Sequence, residues 1–222
     1  ARTNIAAAGY GGDKALFAYG TTGSNVSLKN LVSNSGVVAT DVTGVGTARS
    51  RLAAATYGLD KAIFGYGLTG SKVSMTNLVN SSGVVATDVT GVGTARMNLA
   101  AAGYGTDKAI FGYGRNSSNA RVSMTNLVNS SGVVASDVTG VGTTRWGLAA
   151  ASYGGDKAIF GYGSPSSDTA ITNLVSNTGV VASDVTGVGT ARDNLAAASY
   201  GGDKAIFGYG NTDEAVSLTN LV

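Results

Sequence analysis

Five times along the chain one phrase returns: Tyr-Gly, one free position, then Asp-Lys-Ala-(Leu/Ile)-Phe-(Ala/Gly)-Tyr-Gly. Its Asp falls at Asp13, Asp60, Asp107, Asp156 and Asp203, so the spacings are 47, 47, 49 and 47 residues. A period near 47, built from short apolar runs separated by Gly-bearing turns, predicts a β-propeller with one blade per repeat. Near-identical copies also act as an internal control. Positions that recur belong to the scaffold, and positions that differ are free of it.

The copies span 1–47, 48–94, 95–143, 144–190 and 191–222, all within one domain covering 1–222. In the second copy four strands are expected, at 52–57, 61–66, 73–79 and 83–89. Gly-x-Asp closes the first pair, and Asn-Ser-Ser-Gly or Ser-Asn-Ser-Gly closes the last, both of which are turn chemistry. Strand alternation places Ala62, Phe64 and Tyr66 on one face. All five Phe and all ten Tyr occupy repeat positions, so the aromatics are read as packing between blades. The first strand is nearly all Ala after its Leu, which suits an inner strand crowded around a central axis.

The remaining composition narrows the function. With 34 Gly and one Pro in 222 residues, the chain favours many short strands over helices. No apolar run approaches the ~20 residues a membrane-spanning helix needs. Fifteen Lys+Arg against thirteen Asp+Glu are spread through the repeats, unlike the concentrated positive face of a nucleic-acid binder. With no Cys there is no disulfide or thiolate, and with no His the commonest general base and metal ligand are both missing. No metal or cofactor is expected. The start at Ala1 suggests a processed chain or a fragment.

Taken in order, each copy runs Arg, apolar strand, Gly turn, strand, Gly-rich corner, variable loop, third strand, turn and fourth strand. That order resembles the kelch repeat over the whole chain. Gly65-Tyr66-Gly67 stands where kelch blades carry a Gly-Gly doublet, and only small residues surround Val85 and Ala86 where they carry a Trp. The resemblance implies an all-β propeller of five kelch-like blades, each a four-stranded antiparallel sheet. The copper-dependent oxidase chemistry of some kelch-like propellers needs His and Cys and does not carry over.

The fifth copy stops after its third strand, so its blade lacks the last one. The strand at 216–222 then presents unpaired backbone groups, a template for association. Self-association, or a longer parent chain, is the expectation.

Variation between copies falls in two places. One is the pair after each repeated Arg: Thr3-Asn4, Ser50-Arg51, Met97-Asn98, Trp146-Gly147 and Asp193-Asn194. The other is the loop between the second and third strands, which carries Lys72, Arg115, Asn116, Arg121, Asp168, Asp213 and Glu214. In a four-stranded meander both places emerge on the same face, while the nearly constant turns emerge opposite. A fixed scaffold with one diversified face is what a binding platform needs. Candidate ligand-binding residues are therefore Arg51, Lys72, Met97, Arg115, Asn116, Arg121, Trp146, Asp168, Asp193 and Asp213. Trp146, the single Trp, suits stacking on a sugar or anchoring a protein contact. Basic residues gather near copies two and three, and acidic ones near copies four and five.

The repeated Arg (Arg2, Arg49, Arg96, Arg145, Arg192) and the repeated Asp of the fourth strand (Asp41, Asp88, Asp137, Asp184) are read as structural. An enzyme would have to work with the non-repeated carboxylates alone, as in glycoside hydrolysis. The expected function is non-enzymatic: a surface recognition module for a glycan or protein, outside the cell, on its surface or on a virion. The alternative is a structural block of a fibre, phage tail or coat, joined through the open edge strand.

Overall fold

The computed structural model describes all residues, Ala1–Val222, and is all-β. Each repeat forms one three-stranded antiparallel sheet, and a two-stranded ribbon is added in the third. We call these sheets units one to five. In unit two the strands are Ala53–Tyr57, Lys61–Gly65 and Thr76–Val79. The first pair runs in register from Ala53↔Gly65 to Tyr57↔Lys61 and closes through Gly58 and Leu59, both at positive φ.

Two sequence expectations fail here for identifiable reasons. The third strand starts at Thr76, three residues later than the apolar pattern implied. The residues before it are held instead by bonds from the Val73 amide to the Gly67 carbonyl and from the Tyr66 amide to the Met75 carbonyl. The fourth strand is reduced to two bridges, Val79↔Val85 and Thr76↔Val89. Between those bridges the outer segment carries one residue more than its partner, a β-bulge. Asn77 fills the mismatch, its Nδ2 donating to the Ala86 carbonyl at 3.0 Å and to Asp88 at 2.9 Å.

The expected shared face of Ala62, Phe64 and Tyr66 is also wrong. Phe64 packs back onto Tyr19 of unit one, with ring centres 5.6 Å apart. Tyr66 packs forward onto Phe111 of unit three, at 5.2 Å. Strand alternation stops at Gly65, because Tyr66 takes φ +65° and Gly67 follows at φ +107°, which swings the tyrosine to the other side. Its phenol then donates to the Val92 carbonyl at 3.3 Å. The same Tyr–Phe pair recurs between units three and four and between four and five. Such pairs add about 0.5–1.5 kcal/mol each beyond their buried area.

The apolar core accordingly lies between units. Its four clusters each draw residues from two successive sheets, as where Tyr10, Leu16 and Tyr19 meet Leu52, Phe64 and Val85. Backbone bonds reinforce every step: Gly11, Gly58, Gly105 and Gly154 each donate to the carbonyl of the next unit's turn Asp. Between unit five and unit one there is no aromatic pair and no hydrogen bond. Tyr209 of unit five is 64% exposed, whereas Tyr66 and Tyr113 are fully buried. All five first strands nonetheless line one cavity of about 330 Å³, walled by Ala7, Ala54, Ala102, Ala150 and Ala197 among others.

The repeated Arg and Asp have structural partners. Arg49 is fully buried, and its Nε donates to the Tyr66 carbonyl at 2.9 Å. Asp88 accepts from the Thr47 amide at 3.0 Å and the Thr47 hydroxyl at 2.6 Å, and lies 3.9 Å from Arg49.

Candidate functional site

In every unit the residue following the repeated Arg sits directly opposite the first residue of the variable loop. The bridges are Thr3↔Thr21, Ser50↔Leu68, Trp146↔Ser164 and Asp193↔Asn211. In unit three the pairing lengthens into the ribbon Arg96–Met97 with Arg115–Asn116, where Met97 faces Arg115. The loop then folds back on itself, with Leu68↔Lys72 and Arg115↔Arg121 opposed. These short pairings, which the sequence did not announce, hold the variable residues in rows on the sheets. The two constant turns of each unit lie together at the other end. A Cβ placed on Gly58 of a first turn would lie 3.0 Å from the Ser130 carbonyl of a neighbouring 3–4 turn.

Neighbouring rows touch. The Arg115 guanidinium of unit three lies 4.0 Å from the ring centre of Trp146 in unit four. The Arg51 guanidinium of unit two reaches the Met97 sulfur of unit three at 3.9 Å. Lys72 donates to Asn119 at 2.6 Å, tying the loops of units two and three. Arg51, Met97, Arg115 and Trp146 thus form a continuous strip. Within it, Trp146 Nε1 and Arg115 Nε are enclosed without an acceptor. Asn116 is employed locally: its Oδ1 accepts from the Ser118 and Ala120 amides at 3.1 and 3.0 Å, shaping its own loop.

Charged residues of this surface act on one another. Burial, then the nearby charges of Arg121 and Arg51, hold the Arg115 pKa below the usual guanidinium value, with Asp193 acting the other way. Asp193 is raised above the ordinary carboxyl range by burial and by Asp168, against a bond from Asn194 and the charge of Arg115. Asp168 is raised by burial and by Asp213, against a bond from Ser164. Arg115 therefore feels two other arginines, and Asp168 and Asp193 each feel another aspartate.

One constraint on this surface was not foreseen. The second residue of each variable pair, Asn4, Arg51, Asn98, Gly147 or Asn194, has φ between +50° and +65°. Backbone bonds link them in sequence: the Arg51 amide donates to Asn4, Asn98 to Arg51, Gly147 to Asn98 and Asn194 to Gly147. Asn and Gly tolerate this left-handed conformation, whereas Arg51 occupies it at a cost. The five residues ring the mouth of a cavity of about 260 Å³, floored by Ile5, Leu52, Leu99, Leu148 and Leu195. Three of the ring residues being Asn was the available signal.

No known family model matches the chain, and no curated protein is significantly similar to it.

Proposed function

We propose that the chain is a non-enzymatic, five-bladed, kelch-like β-propeller that recognises a surface ligand, glycan or protein, through its variable face. Support for the propeller comes from five equivalent sheets following one another through the same interface, with every first strand on one shared cavity. The observation that carries the function is the strip Arg51–Met97–Arg115–Trp146. It consists of residues the scaffold does not repeat, from three successive units, in mutual contact.

An aromatic ring flanked by a cation, with enclosed donors that lack acceptors, suits a ligand rich in hydroxyl or carboxyl oxygens. The strained backbone of Arg51 supports the same reading, because strain concentrates where a side chain is kept for what it does. Such a module belongs outside the cell, on its surface or on a virion.

The test is a glycan array probed with the purified chain and with a Trp146→Ala, Arg115→Ala double variant. Specific binding lost in the variant is the expected result. Silence from the native chain on glycans and on extracted surface proteins would sink the proposal.

A further inference from the structure

The arginines of the chain divide by what their guanidiniums hold. The five repeated ones, Arg2, Arg49, Arg96, Arg145 and Arg192, each donate to oxygens of the protein itself. The remaining three, Arg51, Arg115 and Arg121, all lie at variable positions of units two and three and donate to no oxygen. Arg51 reaches only the Met97 sulfur, and Arg115 rests over the Trp146 ring. Neither these three nor Lys72 has a carboxylate within 4.0 Å.

A guanidinium resting on a π face or a thioether is held in place while its in-plane N–H groups stay uncommitted. At Arg115 the Nε is enclosed, whereas the two terminal nitrogens remain open to solvent. A second, independent sign is that the arrangement is unfavourable by itself. Arg121 sits directly opposite Arg115 across the folded-back loop, and like charges so placed repel. Arg51 acts on Arg115 as a further like charge, and holds φ +55° where units one, three and five carry Asn.

Along the order of units, Trp146 of unit four follows these arginines, and carboxylates follow it. Ser164, bridged to Trp146, donates to Asp168. A Cβ on Gly147 would lie 3.4 Å from the Asp193 Cβ. Asp193 is 9% exposed, and only its Oδ1 is engaged, by Asn194 at 3.0 Å.

We propose, resting on the reading of this surface as a recognition face, that the ligand is a glycan in which a carboxylate-bearing sugar adjoins a neutral one. The sugar carboxylate is held by the terminal nitrogens of Arg115 with Arg121 and Arg51, which also relieves their mutual repulsion. Hydroxyls of the neutral sugar donate to Asp193 and Asp168, beyond Trp146. A ligand charged along its whole length, such as a nucleic acid or a heavily sulfated chain, meets those aspartates as like charges and is disfavoured.

The experiment is an array of uronic and sialic acid glycans beside their neutral counterparts, read with the full chain before and after methyl esterification of the carboxylates. Binding is expected on the carboxylated glycans alone, and esterification should weaken it by about tenfold or more, the loss of one charge-assisted contact set. Arg121→Gln and Arg51→Asn should each weaken it similarly. Arg121 is exposed and its side chain holds nothing, and Asn stands at the Arg51 position in three other units, so both variants keep the fold, which circular dichroism checks. Heparin and oligothymidylate should bind more weakly than the best glycan at the same ionic strength. Binding to neutral glycans, or binding indifferent to esterification, overturns the proposal and leaves recognition by the variable face standing. A preference for heparin or oligothymidylate, or capture of surface proteins with no glycan bound, does the same. Silence on glycans and surface proteins alike overturns both.

Discussion

The guanidinium of Arg49 lies 4.3 Å from the ring centre of Tyr19 in the unit before it, while its Nε donates to the carbonyl of Tyr66 in its own. One buried side chain therefore ties two sheets; the stacking recurs at Arg96, Arg145 and Arg192, and the Nε bond recurs at Arg145. Burial holds the Arg49 pKa below its usual value, against the opposing pull of Tyr19 and Asp88, yet guanidinium stays charged at any ordinary pH.

Arg49→Ala should lower the free energy of unfolding by about 3 kcal/mol, since it strands carbonyl acceptors and opens a cavity. Arg49→Lys should recover little of that, because an ammonium neither stacks flat nor spans the Tyr66 and Thr47 carbonyls together. Urea unfolding followed by circular dichroism checks both. A Lys variant as stable as the native chain would show that charge alone matters at this position.

Backbone strain gives a prediction of opposite sign. Arg51 holds φ +55°, and Leu59, 70% exposed in the turn of the first hairpin, holds φ +73°. Other units place Asn or Gly at the first position and mostly Gly at the second. Arg51→Asn and Leu59→Gly should each raise stability by about 0.5–1 kcal/mol. If the variable face binds through Arg51, the first substitution should stabilise the chain and weaken binding together, while the second leaves binding alone. Paired melting and binding curves read out both effects.

The carboxylates divide into two sets with opposite pH signatures. At Asp88, Asp137 and Asp184, burial works to raise the pKa, but donors from Thr and Asn outweigh it and hold the carboxyls below their usual range. Their contribution is present above the unfolded carboxyl pKa and is lost as pH falls through the folded values. At Asp168 and Asp193 the folded pKa is raised, so their contribution is present below the unfolded pKa and is lost as pH rises through the folded values. Acid titration of the native chain should therefore show a maximum on the acid side of neutrality. Asp193→Asn should reduce the decline on its high-pH side, and Thr94→Val should bring acid unfolding to higher pH. Midpoints in urea at a series of pH values test both shifts.

Much of the architecture was legible because the repeat exposes it. The first and second strands fell within one residue of their predicted bounds, since a run such as Ala53–Tyr57 closed by a Gly turn has one compact solution. What escaped was set by backbone conformation that residue type signals weakly. Tyr66 changes side because it adopts a positive φ, a backbone state that recurs at Tyr209 even without a phenylalanine partner. The fourth segment looks like a regular strand until Asn77 is seen to replace a ladder partner with its side chain. On the variable face, comparing copies identified Arg115 and Trp146, but only the fold brings them face to face. Conversely, Asn116 varied between copies and is engaged in shaping its own turn.

The contact between successive units joins two different surfaces, a tyrosine on one side and a phenylalanine on the other. Such a head-to-tail joint has no chemistry that counts. The same joint serves all four steps from unit one to unit five, each at an angle between neighbouring sheets. That angle is governed where the sheets crowd closest, along first strands built of alanine. The spacing of the sheets is thus set by a few methyl groups on their first strands, far from the residues in which the units differ.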